Sequence, residues 1–281
     1  MSGGTGHPPL TLLYAPGDRP EVVGKALRAG ADVVLVDLED AVAPDRKEFA
    51  RSATAERLSE HLPVPVHVRV NAPDSPWAEA DLAALSALPG LAGLRLPKVT
   101  SPFDVVEAAG RAALVAGRTV PLCALLETAL GVERAFSIAS AHPALRGIAL
   151  GEADLRADLG VREDTGLDWS RSRVVVAARA AALPPPTQSI YPDTRDLEGL
   201  AVSCARGRAL GFLGRAAIHP RQLPVIERAY APTADEISRA EEVLKAAARD
   251  PGAQALPDGR FVDTAVVREA RTTLALARRR R

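Results

Sequence analysis

Charged side chains recur in this sequence at the ends of short apolar runs. Val33-Val-Leu-Val36 leads into Asp37, Glu39 and Asp40, and the run around Val66 and Val68 ends at Arg69. Leu91 to Leu96 precedes Lys98, and Val120 to Leu126 precedes Glu127. Arg146 to Leu150 ends in Gly151-Glu-Ala-Asp154, Thr187 to Tyr191 reaches Asp193, and Arg215 to Ile218 reaches His219. Glu127 and Asp154 close consecutive runs. Two carboxylates at neighbouring strand ends can hold one hard cation, Mg²⁺ or in its place Mn²⁺, with water and substrate oxygens completing the shell. Each could equally cap a helix or pair with an arginine.

Arg69 suits recognition of a carboxylate or stabilisation of a developing oxyanion; it could equally form a structural salt bridge to Asp37 or Glu39. Asp37, Glu39 and Asp40 repel one another unless cations lie close, so they read as a shell supporting the site and holding groups such as Lys98. Asp40 could simply start the next loop. Arg19 and Lys25 flank the first turn, either as a phosphate clamp or on a solvated helix face. His219, before Pro220, suits holding a loop, and Asp193 and Asp196 suit starting the next helix.

Positioning these groups requires alternating strands and helices. Strands are expected at Leu10–Ala15, 32–37, Val64–Val70, Leu91–Leu96, Val120–Leu126, Arg146–Leu150, Thr187–Tyr191 and Arg215–Ile218. Helices are expected at Glu21–Ala29, Asp45–Leu62, Trp77–Leu88, Phe103–Ala116, Gly131–Ala141, Ser170–Ala182 and Leu197–Leu210, with more after Gln222, at about 234–249 and 264–278. Eight strand–helix units predict an α/β fold, a (β/α)8 TIM barrel over residues 10–232, whose sites lie at the carboxyl ends of the strands. Residues 233–281 predict a helical extension serving as lid or oligomer contact. No Gly-x-Gly-x-x-Gly follows the first strand, which disfavours a dinucleotide-binding sheet.

The 281 residues carry 35 basic and 35 acidic side chains, so net charge predicts no general affinity for nucleic acid or an anionic membrane. The basic run Arg278 to Arg281 reads as a solvated tail. Cys123 and Cys204, the only cysteines, read as inert core thiols. Residues 1–9 lack the pattern of a signal peptide, and no run reaches the ~20 apolar residues of a membrane span, so the cytoplasm is expected.

Pro16-Gly-Asp-Arg-Pro20, Val36-Asp-Leu-Glu-Asp-Ala-Val42, Val68-Arg-Val-Asn71, Leu96-Pro-Lys98, Leu126-Glu-Thr128, Gly151-Glu-Ala-Asp-Leu155 and Ile218-His-Pro220 occur in this order. The set resembles the citrate lyase beta-subunit-like branch of the HpcH/HpaI aldolase superfamily from about residue 10 to about residue 275. The resemblance implies a Mg²⁺-dependent barrel, usually trimeric, that cleaves or forms C–C bonds between a thioester enolate and a short 2-oxo acid. By position it implies Glu127 and Asp154 as metal ligands, Glu127 also touching substrate, and Arg69 contacting substrate. It implies Arg19 and Lys25 on coenzyme A phosphates, Asp37 and Glu39 beside the metal, and Asp263, in Phe261-Val-Asp-Thr264, as an acid/base reaching a neighbouring subunit. The expected reaction splits citramalyl-CoA or malyl-CoA into acetyl-CoA and pyruvate or glyoxylate. A CoA-independent aldolase and a citryl-lyase subunit acting on an acyl-carrier protein are the alternatives. The family more often has Gly-Ala-Glu-Asp-Leu where this chain has Gly151-Glu-Ala-Asp-Leu155, and on a strand that shift of one place exchanges faces.

Overall fold

Val33 to Val36 offer no polar alternation, and the strand they open is buried at every position. A strand covered on both faces belongs in a parallel sheet. In the computed structural model, which describes residues 8–249, 254–255 and 259–278, seven such strands pair. They are β1 (Thr11–Pro16), β2 (Val33–Asp37), β3 (Val66–Arg69), β4 (Leu91–Leu96), β5 (Leu122–Leu126), β6 (Leu145–Leu150) and β7 (Arg215–Ala217). Their order is β6-β5-β4-β3-β2-β1-β7, and every pairing is parallel.

Helices α1 (Pro20–Ala26), α2 (Lys47–Leu58), α3 (Ala78–Leu85), α4 (Pro102–Ala116), α5 (Ala129–Glu133) and α6 (Ala135–Ala139) fill the crossovers up to β6. After β6 come α7 (Glu152–Leu159), α8 (Asp168–Ala180) and α9 (Leu197–Ala209), and α10 (Leu223–Tyr230) follows β7. Local sequence sets several boundaries. Ser101 and Asp104 form a capping box at α4, with Pro102 just inside it. Gly214, at φ +78, enters β7 with its α-carbon against Leu10, where an added Cβ would lie 2.5 Å from the Leu10 carbonyl oxygen. Only glycine satisfies both demands.

Four expectations are corrected. Thr187–Tyr191 is not a full strand: it keeps one parallel bridge, Gln188 to Arg215, and no ladder to β6 among the described residues. Pro184, Pro185 and Pro186 before it and Pro192 after it carry no N–H to extend a ladder. The sheet is therefore a parallel half-barrel with one bridge at its far side. The helix expected at Asp45–Leu62 begins with a 3₁₀ turn, Pro44–Arg46, and ends at Leu58. The helix at Gly131–Ala141 is two short ones that meet at Arg134. Finally, Glu152 and Asp154 stand in the first turn of α7 rather than on a strand end. Shifting one place there turns a side chain by roughly 100° around a helix instead of exchanging faces.

Contacts divide the chain into a unit from Pro9 to Ala229 and a second from Tyr230 onward. The second unit contains α11 (Ala234–Arg249), the short strands β8 (Gln254–Ala255) and β9 (Phe261–Val262), and α12 (Thr264–Ala277). Ala240, Val243, Val262 and Ala270 form its buried core. The segment before Pro8 and the last three arginines lie outside the described residues.

Candidate active site

A cavity of about 440 Å³ lies at the carboxyl ends of the strands, walled by residues from all seven and from 187–190. Strand register arranges its charges. Asp37 pairs with Arg69, Arg69 with Arg95, and Arg95 with Cys123, across β2, β3, β4 and β5.

Arg69 is the hub of the acidic stretch. Its Nε and Nη2 donate to the two carboxylate oxygens of Asp37 at 2.7 and 2.6 Å. Its Nη1 lies 2.9 Å from Glu39 and donates to Asp40 at 3.1 Å. Asp37 also accepts from the backbone N–H groups of Glu39 and Ala41, which folds the loop back on the strand end. These bonds hold the Arg69 guanidinium protonated well above its ordinary range, against the cost of burial. Lys98 completes the cluster, its ammonium on Glu39 and 3.6 Å from Asp40. Asp37, Glu39 and Asp40 thus share one ion cluster with Arg69 and Lys98. Beneath it, buried Lys47 donates to the carbonyls of Leu38 and Glu39 at 2.7 Å each. Asn71 holds the end of β3 by bonding Asp81, which also accepts from Arg51.

Glu127 follows β5 and is buried; its Oε1 accepts the Lys98 backbone N–H at 2.7 Å. Lys98 adopts φ +53 to deliver that bond, a left-handed conformation that costs a non-glycine residue roughly 1–2 kcal/mol. Burial, then the nearby charge of Glu39 and Asp154, pushes the Glu127 carboxyl up to about 7. A carboxylate that resists ionising beside two other acids lacks positive charge. Gly151 makes room for it, since a Cβ there would lie 2.0 Å from Glu127 Oε2. Asp154, half-buried on α7, lines the same cavity. Among the described residues no group of three or more His, Cys, Asp or Glu gathers as a metal cage. A carboxylate pair lining one cavity, with room there for water and substrate oxygens, is the donor set Mg²⁺ takes, so Glu127 and Asp154 fit such an ion.

The other expected residues divide. Arg19 and Lys25 are exposed on the α1 turn and do not line the cavity. Asp263 lies in the second unit, where its carboxylate caps α12 by accepting from the N–H groups of Ala265 and Val266 at 2.9 Å each. His219 Nδ1 accepts from the Arg221 N–H, and Asp193 and Asp196 accept backbone N–H groups at the start of α9, all three as structural groups. The displaced acid, Glu152, is held by Arg171 through two bonds of 3.0 and 2.7 Å. Arg95 and Tyr14 also face the cavity without belonging to any motif. The signal for Arg95 is a guanidinium inside an otherwise apolar strand, Leu91-Ala-Gly-Leu-Arg-Leu96.

The chain is 37% identical over 280 residues to a (3S)-malyl-CoA thioesterase of Cereibacter sphaeroides, covering 96% of this chain and 95% of that one. It is 34% identical to the citrate lyase subunit beta of Escherichia coli, over 95% and 92% of the two chains. The crystal structure of protein CitE from Mycobacterium tuberculosis in complex with magnesium, acetoacetate and coenzyme A superposes with a TM-score of 0.80, at 34% identity, covering 96% of this chain and 98% of that chain. The HpcH/HpaI aldolase/citrate lyase pattern matches residues 10–220. With that match spanning every strand of the sheet and the acidic cavity at its mouth, the chain belongs to the HpcH/HpaI aldolase/citrate lyase family.

Proposed function

We propose that this chain is a Mg²⁺-dependent carbon–carbon lyase acting on a short 3-hydroxy-3-carboxyacyl-CoA, such as citramalyl-CoA or malyl-CoA, to give acetyl-CoA and a 2-oxo acid. The observation that carries this reading is Glu127: a buried carboxylate after β5, raised to about 7, with Asp154 of α7 lining the same cavity. The magnesium, acetoacetate and coenzyme A bound by the CitE relative support it. Walls from all seven strands and from 187–190 support reading the fold as a (β/α)8 barrel in which 187–190 take the eighth strand's place.

Glu127 and Asp154 would hold the ion, whose chemistry is to polarise and orient a 2-hydroxy or 2-oxo carboxylate. A base takes the hydroxyl proton as the C–C bond breaks and the thioester departs as an enolate, and Arg69, fixed by Asp37, stabilises the oxyanion charge. Asp263, in a neighbouring subunit of a homotrimer, protonates the enolate carbon, or removes that proton in the condensation direction. Residues from 233 onward act as the lid and oligomer contact, and Arg19 and Lys25 take the coenzyme A phosphates. The enzyme works in the cytoplasm.

The test is acetyl-CoA and pyruvate or glyoxylate formation from citramalyl-CoA or malyl-CoA, with and without EDTA. Turnover stops with EDTA and falls at least ~100-fold in Glu127→Ala; full activity in that variant sinks the assignment. The likeness to a malyl-CoA thioesterase favours one second reading, thioester hydrolysis. Release of free CoA thiol from acetyl-CoA or malyl-CoA, followed in the same assay, separates the two.

A further inference from the structure

Arg95 is a cation without a counter-ion. It is 6% exposed, its Nε is buried with no hydrogen-bond partner, and it makes no ion pair among the described residues. Buried guanidinium groups are ordinarily matched by carboxylates, because an unpaired buried charge is costly. The acids nearby are committed elsewhere. Asp37, Glu39 and Asp40 surround Arg69. The groups that sense Arg95 are Tyr14, held protonated by burial, and His67. Burial, then the Arg95 charge itself, lowers His67 to about 3, so it stays neutral and supplies no negative charge. Its Nδ1 is also buried without a partner.

Position gives the unpaired charge a purpose. Arg95 lines the cavity together with Glu127, Asp154 and Arg69. Its strand position is level with Arg69 and deeper than Glu127 and Asp154: Arg95 pairs with Cys123, and the chain then rises along β5 before reaching Glu127. An acid held at the mouth by Glu127 and Asp154 through a bound ion would point its other end down toward Arg95. The planar fork of a guanidinium matches a carboxylate through two parallel bonds.

We infer that Arg95 is a specificity-determining residue, the receptor at the cavity floor for a second carboxylate of the acid. Its ligand class is a short 2-oxo or 2-hydroxy acid with anionic groups at both ends, and a hydrogen or methyl at the far end leaves the guanidinium unmatched. This rests on the proposed function in placing the first carboxylate at Glu127 and Asp154, and it narrows the 2-oxo acid there from pyruvate or glyoxylate to one with a second carboxylate.

Lactate and malate test it, because they differ only by that second carboxylate and neither needs turnover. Calorimetry on the full chain with Mg²⁺ and no CoA ester gives malate binding roughly 10- to 100-fold tighter than lactate. Arg95→Met abolishes the ratio and leaves lactate unchanged; Arg95→Lys, with the charge but not the fork, keeps part of it. Equal binding of the two acids by the wild type overturns the inference, as does a parallel loss of both in Arg95→Met. Thermal melting separates this role from a structural one. Arg95→Met melts no lower than the wild type, since it removes a charge that no protein group offsets; a lower Tm makes Arg95 structural. Malate preference without CoA-ester cleavage leaves Arg95 as the receptor and sinks the lyase reading alone.

Discussion

Glu127 sits where burial and neighbouring acids both oppose its charge, and that has a measurable cost. Its carboxyl titrates at about 7 in the folded chain against 4.5 as the ordinary value. Between those values the folded chain holds the extra proton, so the stability this group contributes is full below 4.5 and is lost as pH rises through 7. In EDTA, the Tm of the wild type should fall between pH 5 and pH 8 by more than that of Glu127→Gln, which has no proton to lose. Mg²⁺ should raise the wild-type Tm most at pH 8. Identical pH profiles for the two proteins would show that Glu127 is not the strained group. Gly151 belongs to the same arrangement: any side chain there displaces the carboxylate it shelters.

At the scale of elements, the ends of the strands hold their charges only because buried helix side chains secure the loops. Lys47 on α2 supplies the donors for the carbonyls of Leu38 and Glu39. Lys47→Met keeps the apolar stem but leaves the Leu38 carbonyl unmatched and the Glu39 carbonyl with the Val42 N–H alone. Such a loss costs roughly 2–4 kcal/mol, or roughly 5–10 °C in Tm. An unchanged Tm in a melting experiment would show that the loop does not depend on Lys47. Much of this level could be read from the chain. Apolar runs ending in a charged residue located β2, β5 and β6 and brought Glu127 and Asp154 onto neighbouring elements, because a buried parallel strand has to be continuously apolar. What escaped depended on partners far along the chain. The helix α7 is only eight residues long and its apolar pattern is weak, so Glu152 and Asp154 read as strand-end residues. The reduction of 187–191 to one bridge follows from four prolines whose effect appears only when ladder hydrogen bonds are counted. Arg95 resembled its strand neighbours in position, and its lack of a partner shows only once Asp37, Glu39 and Asp40 are seen around Arg69.

For the whole molecule, the open question is how the second unit takes part. Asp263 already has a structural task as the cap of α12. Two substitutions separate that task from chemistry. Asp263→Asn keeps the cap, since asparagine caps about as well as aspartate, and leaves Tm unchanged. If the carboxylate transfers the proton, kcat falls roughly 100-fold or more in the cleavage assay. Asp263→Ala loses the cap as well, at roughly 1 kcal/mol. Wild-type turnover in Asp263→Asn would confine the residue to the cap.

The strand order carries a consequence for how the protein is made. β1 pairs with β2 early, but its other neighbour is β7, where Thr11 meets Arg215. A ribosome adding roughly 5–20 residues per second needs on the order of 10–40 s between those two strands. Throughout that interval one side of β1 offers unpaired N–H and C=O groups, the usual template for association with another nascent chain. Temperature of expression and chaperone supply should therefore govern yield more strongly than the stability of the finished fold.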